Sequence, residues 1–223
     1  MFRYFLIILC LLLSGCTLFQ QRKPPLKQDE PEAAQNLVWT VLDYRNKNLG
    51  AVIPAWVDLH LRGSGSSIER LAEFQNYYVF VSSNTGTNFS ALNQWNSAFS
   101  PDLDFARLAA ARIEKRMLDA AARYPDDEYG SYFEKLVRAA SDAEWKGAAR
   151  RADFWLYRRF PDPDDPELPG RENYDFFILV IIEKELLVRQ ITELMAGIVP
   201  DEPLSRDQRN AVTRIRERFF EGF

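Results

Sequence analysis

One histidine and two cysteines in 223 residues leave little material for several kinds of chemistry. Cys10 lies in an N-terminal apolar run and Cys16 follows it, so the rest of the chain contains no thiol. A disulfide framework, a cysteine nucleophile and thiolate metal ligation are excluded for that remainder. Zinc sites and Ser-His-Asp triads lean on histidine, and only His60 is present. A basic surplus is also missing. The formal net charge is −4, which argues against a nucleic-acid partner, because phosphate contacts need a basic footprint. No stretch is long and apolar enough to cross a bilayer, which takes ~20 residues.

What is present begins at the N-terminus. Arg3 precedes the apolar run Leu6 to Leu13, whose length fits the core of a secretory signal, about 7–15 residues. The run ends in Leu13-Ser14-Gly15-Cys16. An ordinary signal ends in small residues and is cut free, whereas a small pair followed by cysteine is the pattern of a bacterial lipoprotein signal. Residues 1–15 are therefore expected to be removed and Cys16 to carry acyl chains of the palmitate type. One acyl chain holds a protein only marginally, and several anchor it stably. Residues 16–34 contain Gln20-Gln21-Arg22-Lys23-Pro24-Pro25 and Lys27-Gln28-Asp29-Glu30-Pro31-Glu32. Such a polar, proline-rich segment has little to bury and reads as a stalk. About 190 residues remain, enough for one domain with a real core. The expected location is the cell envelope, on the inner or outer membrane, with the body on the periplasmic or surface side.

Residues 35–223 read as a single α+β domain. Leu37, Val38, Val41, Leu42 and Arg45 fall at helical spacing and predict a helix over 34–49. Ser66 and Glu69 form a capping-box pattern for a short helix through Phe74. Tyr77 to Val81 is rich in aromatic and β-branched residues and predicts a strand, closed by a turn over 82–86. A helix over 88–99 follows. Ser100 as cap and Pro101 at the first position open the longest helix, Asp102 to about Tyr124, with Ala106, Ala110, Ile113, Met117, Ala120 and Ala121 inward. Ser131 with Glu134, and Ser141 with Glu144, repeat the capping pattern. Strands are expected over 152–160 and 174–182. The loop between them holds four prolines and Gly170, so an antiparallel pair is the simplest topology. The last strand is almost continuously apolar, which implies cover on both faces or a central place. Helices over 183–195 and from Ser205 onward complete a small antiparallel sheet of about three strands, with the long Ala-rich helix across one face.

Pro54-Ala55-Trp56-Val57, the Ala-rich segment 104–114, Trp145-Lys146-Gly147-Ala148, the aromatic strand Asp153-Phe154-Trp155-Leu156 and a Tyr-led apolar strand follow one another in order. Over roughly residues 54–196 this succession resembles the Lpp-twenty-like envelope lipoproteins and related uncharacterised lipoproteins of spirochaetes. The resemblance implies an envelope lipoprotein with an α/β core and no known catalysis. Some relatives are linked to flagellar or outer-envelope structures. It supplies no catalytic residues.

The candidate sites are few. His60 lies in a helical stretch without a nearby nucleophile signature, and a structural role is the plainer reading. Asp126-Asp127-Glu128 and the cluster Asp162, Asp164, Asp165 and Glu167 offer oxygens of the kind calcium prefers, yet neither shows an alternating ligand pattern. Gly63-Ser64-Gly65-Ser66 lacks the Lys-Ser/Thr ending of a phosphate loop. No pair of carboxylates stands out for glycosidic chemistry. Arg206, Arg209, Arg214, Arg216 and Arg218 make the last helix basic, interrupted by Glu217 and Glu221. The 16 Phe, 9 Tyr and 5 Trp fill a core or line a groove. The expected function is thus a non-catalytic, lipid-anchored scaffold or protein-binding module of the envelope, without cofactor or metal. The alternative is a binding protein for a lipid or other apolar ligand. Trp56, Tyr78, Trp95 and Trp155 are the tentative binding residues.

Overall fold

The computed structural model describes residues 39–121, 130–162, 165, 168, 170–199, 203 and 205–221. Cys16, the stalk, the acidic loop at Asp126 and the positions Asp164 and Glu167 lie outside them. Residues 38–223 form one compact unit.

The fold is α+β, and its sheet has four antiparallel strands rather than three. These are β1 (Thr40–Tyr44), β2 (Tyr77–Gly86), β3 (Ala149–Arg159) and β4 (Glu172–Glu183), in the spatial order β1-β3-β4-β2. The helices are α1 (Ala55–Leu61), α2 (Gly65–Ile68), α3 (Phe89–Ala98), α4 (Pro101–Ala121), α5 (Gly130–Asp142), α6 (Lys184–Gly197) and α7 (Arg206–Glu221).

The added strand corrects the helix expected over 34–49. Of that stretch residues 34–38 lie outside the described residues, and Thr40–Tyr44 pairs with Arg159 to Leu156 of β3. Thr40, Val41 and Tyr44 favour extended backbone, and pairing with β3 satisfies main-chain groups that a lone helical turn leaves open. Asn46 then takes a left-handed conformation, φ 60°, which ends the regular backbone before the short 3-10 turn Lys47–Leu49. Two other expectations shift. Strand β2 runs on through the supposed turn to Gly86, and the third capping box does not form. Helix α5 continues to Asp142, and the Ser141 hydroxyl donates back to the Val137 carbonyl at 3.1 Å.

The long helix forms over its described length with a shifted stripe: of the residues expected inward, Ala110, Ile113, Met117 and Ala120 are buried, Ala106 is only half-buried, and Phe105 and Ala109 are buried in addition. Asp104 Oδ2 accepts from the Ser100 N–H at 2.8 Å, and Pro101 fills the first position.

Strand alternation sends β4 residues to two cores. On one face Ile178, Val180 and Ile182 join Tyr78 and Phe80 beneath α4, α5, α6 and α7. On the other, Phe177 and Leu179 join Val79, Phe154 and Leu156 beneath Trp56, Val57, Ile68 and Phe74. This double cover explains the unbroken apolar run of β4, which also sits between β3 and β2.

Candidate functional site

The helical cover does not reach the whole first face. Strand β3 places Asp153, Trp155, Tyr157 and Arg159 there, while β4 places Tyr174 and Phe176 opposite Tyr157 and Trp155. Among the described residues, the extensive contacts of β3 are with β1 and β4; on this face α3 approaches it through Phe89, at the helix's first turn. Trp155, Tyr157 and Tyr174 are consequently half-buried.

A single ring organises this strip. Phe89, the first residue of α3, is 37% exposed. Its ring meets Trp155 at 5.3 Å, Tyr174 at 5.2 Å and Phe176 at 5.3 Å, all edge-on. Tyr157 and Tyr174 stack at 4.3 Å with planes 20° apart. Such aromatic pairs contribute about 0.5–1.5 kcal/mol each beyond their area, so the strip is rigid as well as open. Asn88 fixes the ring's approach by capping α3: its side chain accepts from the Ala91 N–H at 3.1 Å.

Charged groups bound the strip at both ends. At one end the Tyr157 hydroxyl donates to Glu172 Oε2, and Arg159 donates to Glu172 Oε1 at 2.8 Å. The bond to Glu172 raises the Tyr157 pKa, and the same bond, followed by the one from Arg159, lowers that of Glu172. At the other end Arg45 and Arg150 share the Asp153 carboxylate, and Arg150 also donates to the Asn96 carbonyl at 2.7 Å. Burial, and then the neighbouring Arg45 charge, lower the Arg150 pKa. The result is an aromatic strip with a polar rim, a composition that protein contact surfaces share.

Of the residues expected to bind, only Trp155 lies on this strip. Trp56 is buried beneath the opposite face, in the second core. Tyr78 is buried in the first core, where the Arg112 guanidinium sits 4.7 Å from its ring centre. Trp95 packs against that core from α3. The four do not line one groove. Phe89, Tyr157 and Tyr174 are not among the residues expected to bind, although strict alternation along two paired strands sets 155 and 157 beside 174 and 176.

Surface clefts lie elsewhere. One of about 490 Å³ runs between α5 and α6, lined by Ala143, Trp145, Gln190, Leu194 and Ile198. Another of about 500 Å³ lies between α4 and α5, lined by Met117, Leu118, Phe133 and Val137. Among the described residues, no three His, Cys, Asp or Glu side chains gather as a metal site.

No family model, curated protein or solved structure matches this chain. The strip's geometry therefore carries the functional argument alone.

His60 has a structural place. Its ring packs edge-on against Phe177 at 5.5 Å, and burial lowers its pKa below 6.5. The unfolded chain then binds the proton more tightly, so His60 weakens the fold as pH falls from about 6.5 toward the folded-state value. His60→Gln is expected to flatten the decline in Tm between about pH 6.5 and pH 5.5, measured by differential scanning fluorimetry against the unsubstituted protein. An unchanged slope would show that other groups set the acid sensitivity.

Proposed function

We propose that this chain is a lipid-anchored bacterial envelope protein that performs no catalysis and holds a protein partner against its open aromatic strip. Its partner lies within a stalk's reach of the inner or outer membrane, on the periplasmic or surface side. The observation that carries the reading is the strip formed by Phe89, Trp155, Tyr157 and Tyr174, partly exposed toward the β3 side of the first face, where the helical cover is incomplete among the described residues. Aromatic residues with a charged rim are enriched where proteins meet. The lipoprotein-type motif ending at Cys16 supports the location. Kinship with the Lpp-twenty-like lipoproteins belongs to the same proposal and rests on the succession of motifs over residues 54–196.

The test is site-specific photocrosslinking in intact cells. A photoreactive phenylalanine analogue at Tyr157 is expected to capture a discrete protein band. The same analogue at Tyr77, at the far end of β2, is expected to capture none. Trp155→Ala should abolish the band while leaving the amount of protein unchanged. Equal capture from both positions, or a band indifferent to Trp155→Ala, would refute a specific partner at the strip.

The second reading, a carrier of a lipid or other apolar ligand, is favoured by the cleft between α5 and α6, where Trp145, Leu194 and Ile198 offer apolar walls. Displacement of a fluorescent fatty acid from that cleft, sensitive to Leu194→Asp and not to Trp155→Ala, would select it over the first.

A further inference from the structure

Strand β2 forms one edge of the sheet and pairs with β4 without a register break from Tyr77 to Gly86. In an antiparallel ladder, successive residues turn their N–H and C=O alternately toward the neighbour and away from it. Val79 turns away. Its N–H donates to Glu69 Oε1 at 3.0 Å, and its carbonyl accepts from Arg112 at 3.4 Å. The alternation then directs the main-chain groups of Val81, Ser83 and Thr85 outward too. Among the described residues, no main-chain bond closes these three on that side.

The edge thus has two unlike halves. At Val79 the Glu69–Arg112 ion pair, joined at 2.7 Å and largely buried, occupies the place of a further strand. This is why the expected capping box is absent: α2 begins after Ser64 without a side-chain cap, and Glu69 is committed to β2 instead. From Val81 to Thr85 the sequence Val-Ser-Ser-Asn-Thr has no charge and no proline, and the pairing has no bulge. Those are the devices that ordinarily blunt an exposed edge.

We propose that two copies of this chain join along this bare segment, Val81 to Thr85 pairing antiparallel with itself about a two-fold axis at Ser83, to give one continuous eight-stranded sheet. The fit is specific to a second copy. With the axis at Ser83, each outward residue finds a mate: Ser83 faces its equivalent, and Val81 faces Thr85 of the other copy. The charged clamp at Val79 then stands opposite residue 87, just past the end of the other strand at Gly86. Moving the axis to Ser82 sets the clamp against Thr85, and moving it to Asn84 leaves Val81 beyond the partner strand. The facing side chains are compatible, since β-branched pairs stabilise cross-strand contacts. A closed two-fold pair also consumes both edges, whereas a head-to-tail contact would leave one open.

The test uses the full chain with Cys10→Ser and Cys16→Ser, purified in mild detergent and measured for protein mass by light scattering. Twice the mass of one chain is expected. Ser83→Pro removes an N–H that makes no main-chain bond on the outer side among the described residues, at a position where an edge strand tolerates proline. It is expected to halve the mass with the far-ultraviolet circular dichroism unchanged. Ser83→Cys, mildly oxidised, is expected to give a disulfide-linked dimer, because paired residues sit about 5.5 Å apart, within disulfide reach. Ser90→Cys on α3 serves as the exposed control and is expected to stay monomeric. The proposal is overturned by a single-chain mass at every concentration, as would follow if a different protein's strand occupied the edge. A dimer that survives Ser83→Pro, or cross-linking no stronger at Ser83 than at Ser90, overturns it as well.

Discussion

Asp175→Ala is expected to destabilise the folded chain by about 3–5 kcal/mol, the largest effect of any single polar substitution described here. Asp175 lies on the second face at the end of β4, with its side chain 5% exposed. Arg158 donates to its Oδ2 at 2.7 Å, and the Thr85 hydroxyl donates to its Oδ1 at 2.7 Å. The Arg158 guanidinium also lies against the rings of Trp39 and Phe160, with its centre 4.8 and 4.9 Å from theirs. Removing the carboxylate strands a cation whose side chain is 10% exposed, and stranded charge costs far more than an ion pair contributes net. Urea denaturation should show the loss directly. Thermal melting should fall by roughly 10 °C, from about 2–4 °C per kcal/mol for a domain of this size. Replacing both partners, as Arg158→Met with Asp175→Leu, is expected to recover most of the stability, because no charge is then left unpaired. A loss below about 1 kcal/mol for Asp175→Ala would mean that water reaches the pair after all.

Cys16→Ser is expected to move the protein from the membrane fraction to the soluble fraction. Multiple acyl chains make binding to a bilayer persistent, and among the described residues no helix is long and apolar enough to cross a membrane. The measurement is immunoblotting of cell fractions after a high-salt wash, which strips proteins held by charge alone. Mass spectrometry of the N-terminal peptide supplies the independent readout: a cut before residue 16 with acyl mass added to the cysteine. An unmodified N-terminus, or a Cys16→Ser variant that remains in the washed membranes, would remove the basis for placing the protein in the envelope.

Much of the fold was legible because its signals are local. The β3–β4 hairpin announced itself through two aromatic runs around a proline-rich loop, and α4 through Ser100, Pro101 and a stripe of alanines. The first strand was hidden because Val41, Leu42 and Arg45 satisfy helical spacing while the strand lacks alternation, Val41 and Leu42 both being half-buried at a register break. Only the pairing with β3, a hundred residues away in sequence, decides for the strand. Glu69 was misread for a related reason. A serine three residues before a glutamate is a cap only if no better donor is near, and the folded chain brings Val79 N–H and Arg112 to that carboxylate. The strip was the hardest feature to see. Aromatic composition cannot tell which rings share a face, and Trp56 and Tyr78 lie beneath opposite ones.

The spatial order β1-β3-β4-β2 has a consequence for how the chain matures. The two earlier strands never touch each other; each waits for a mate encoded after residue 148. A nascent polypeptide lacking its final third consequently has no sheet to build. Premature collapse during synthesis is held off by topology itself, and loop closure across so long a stretch is slow. Were the chain exported as proposed, that delay would keep it threadable until delivery, and it would come from the order of the strands.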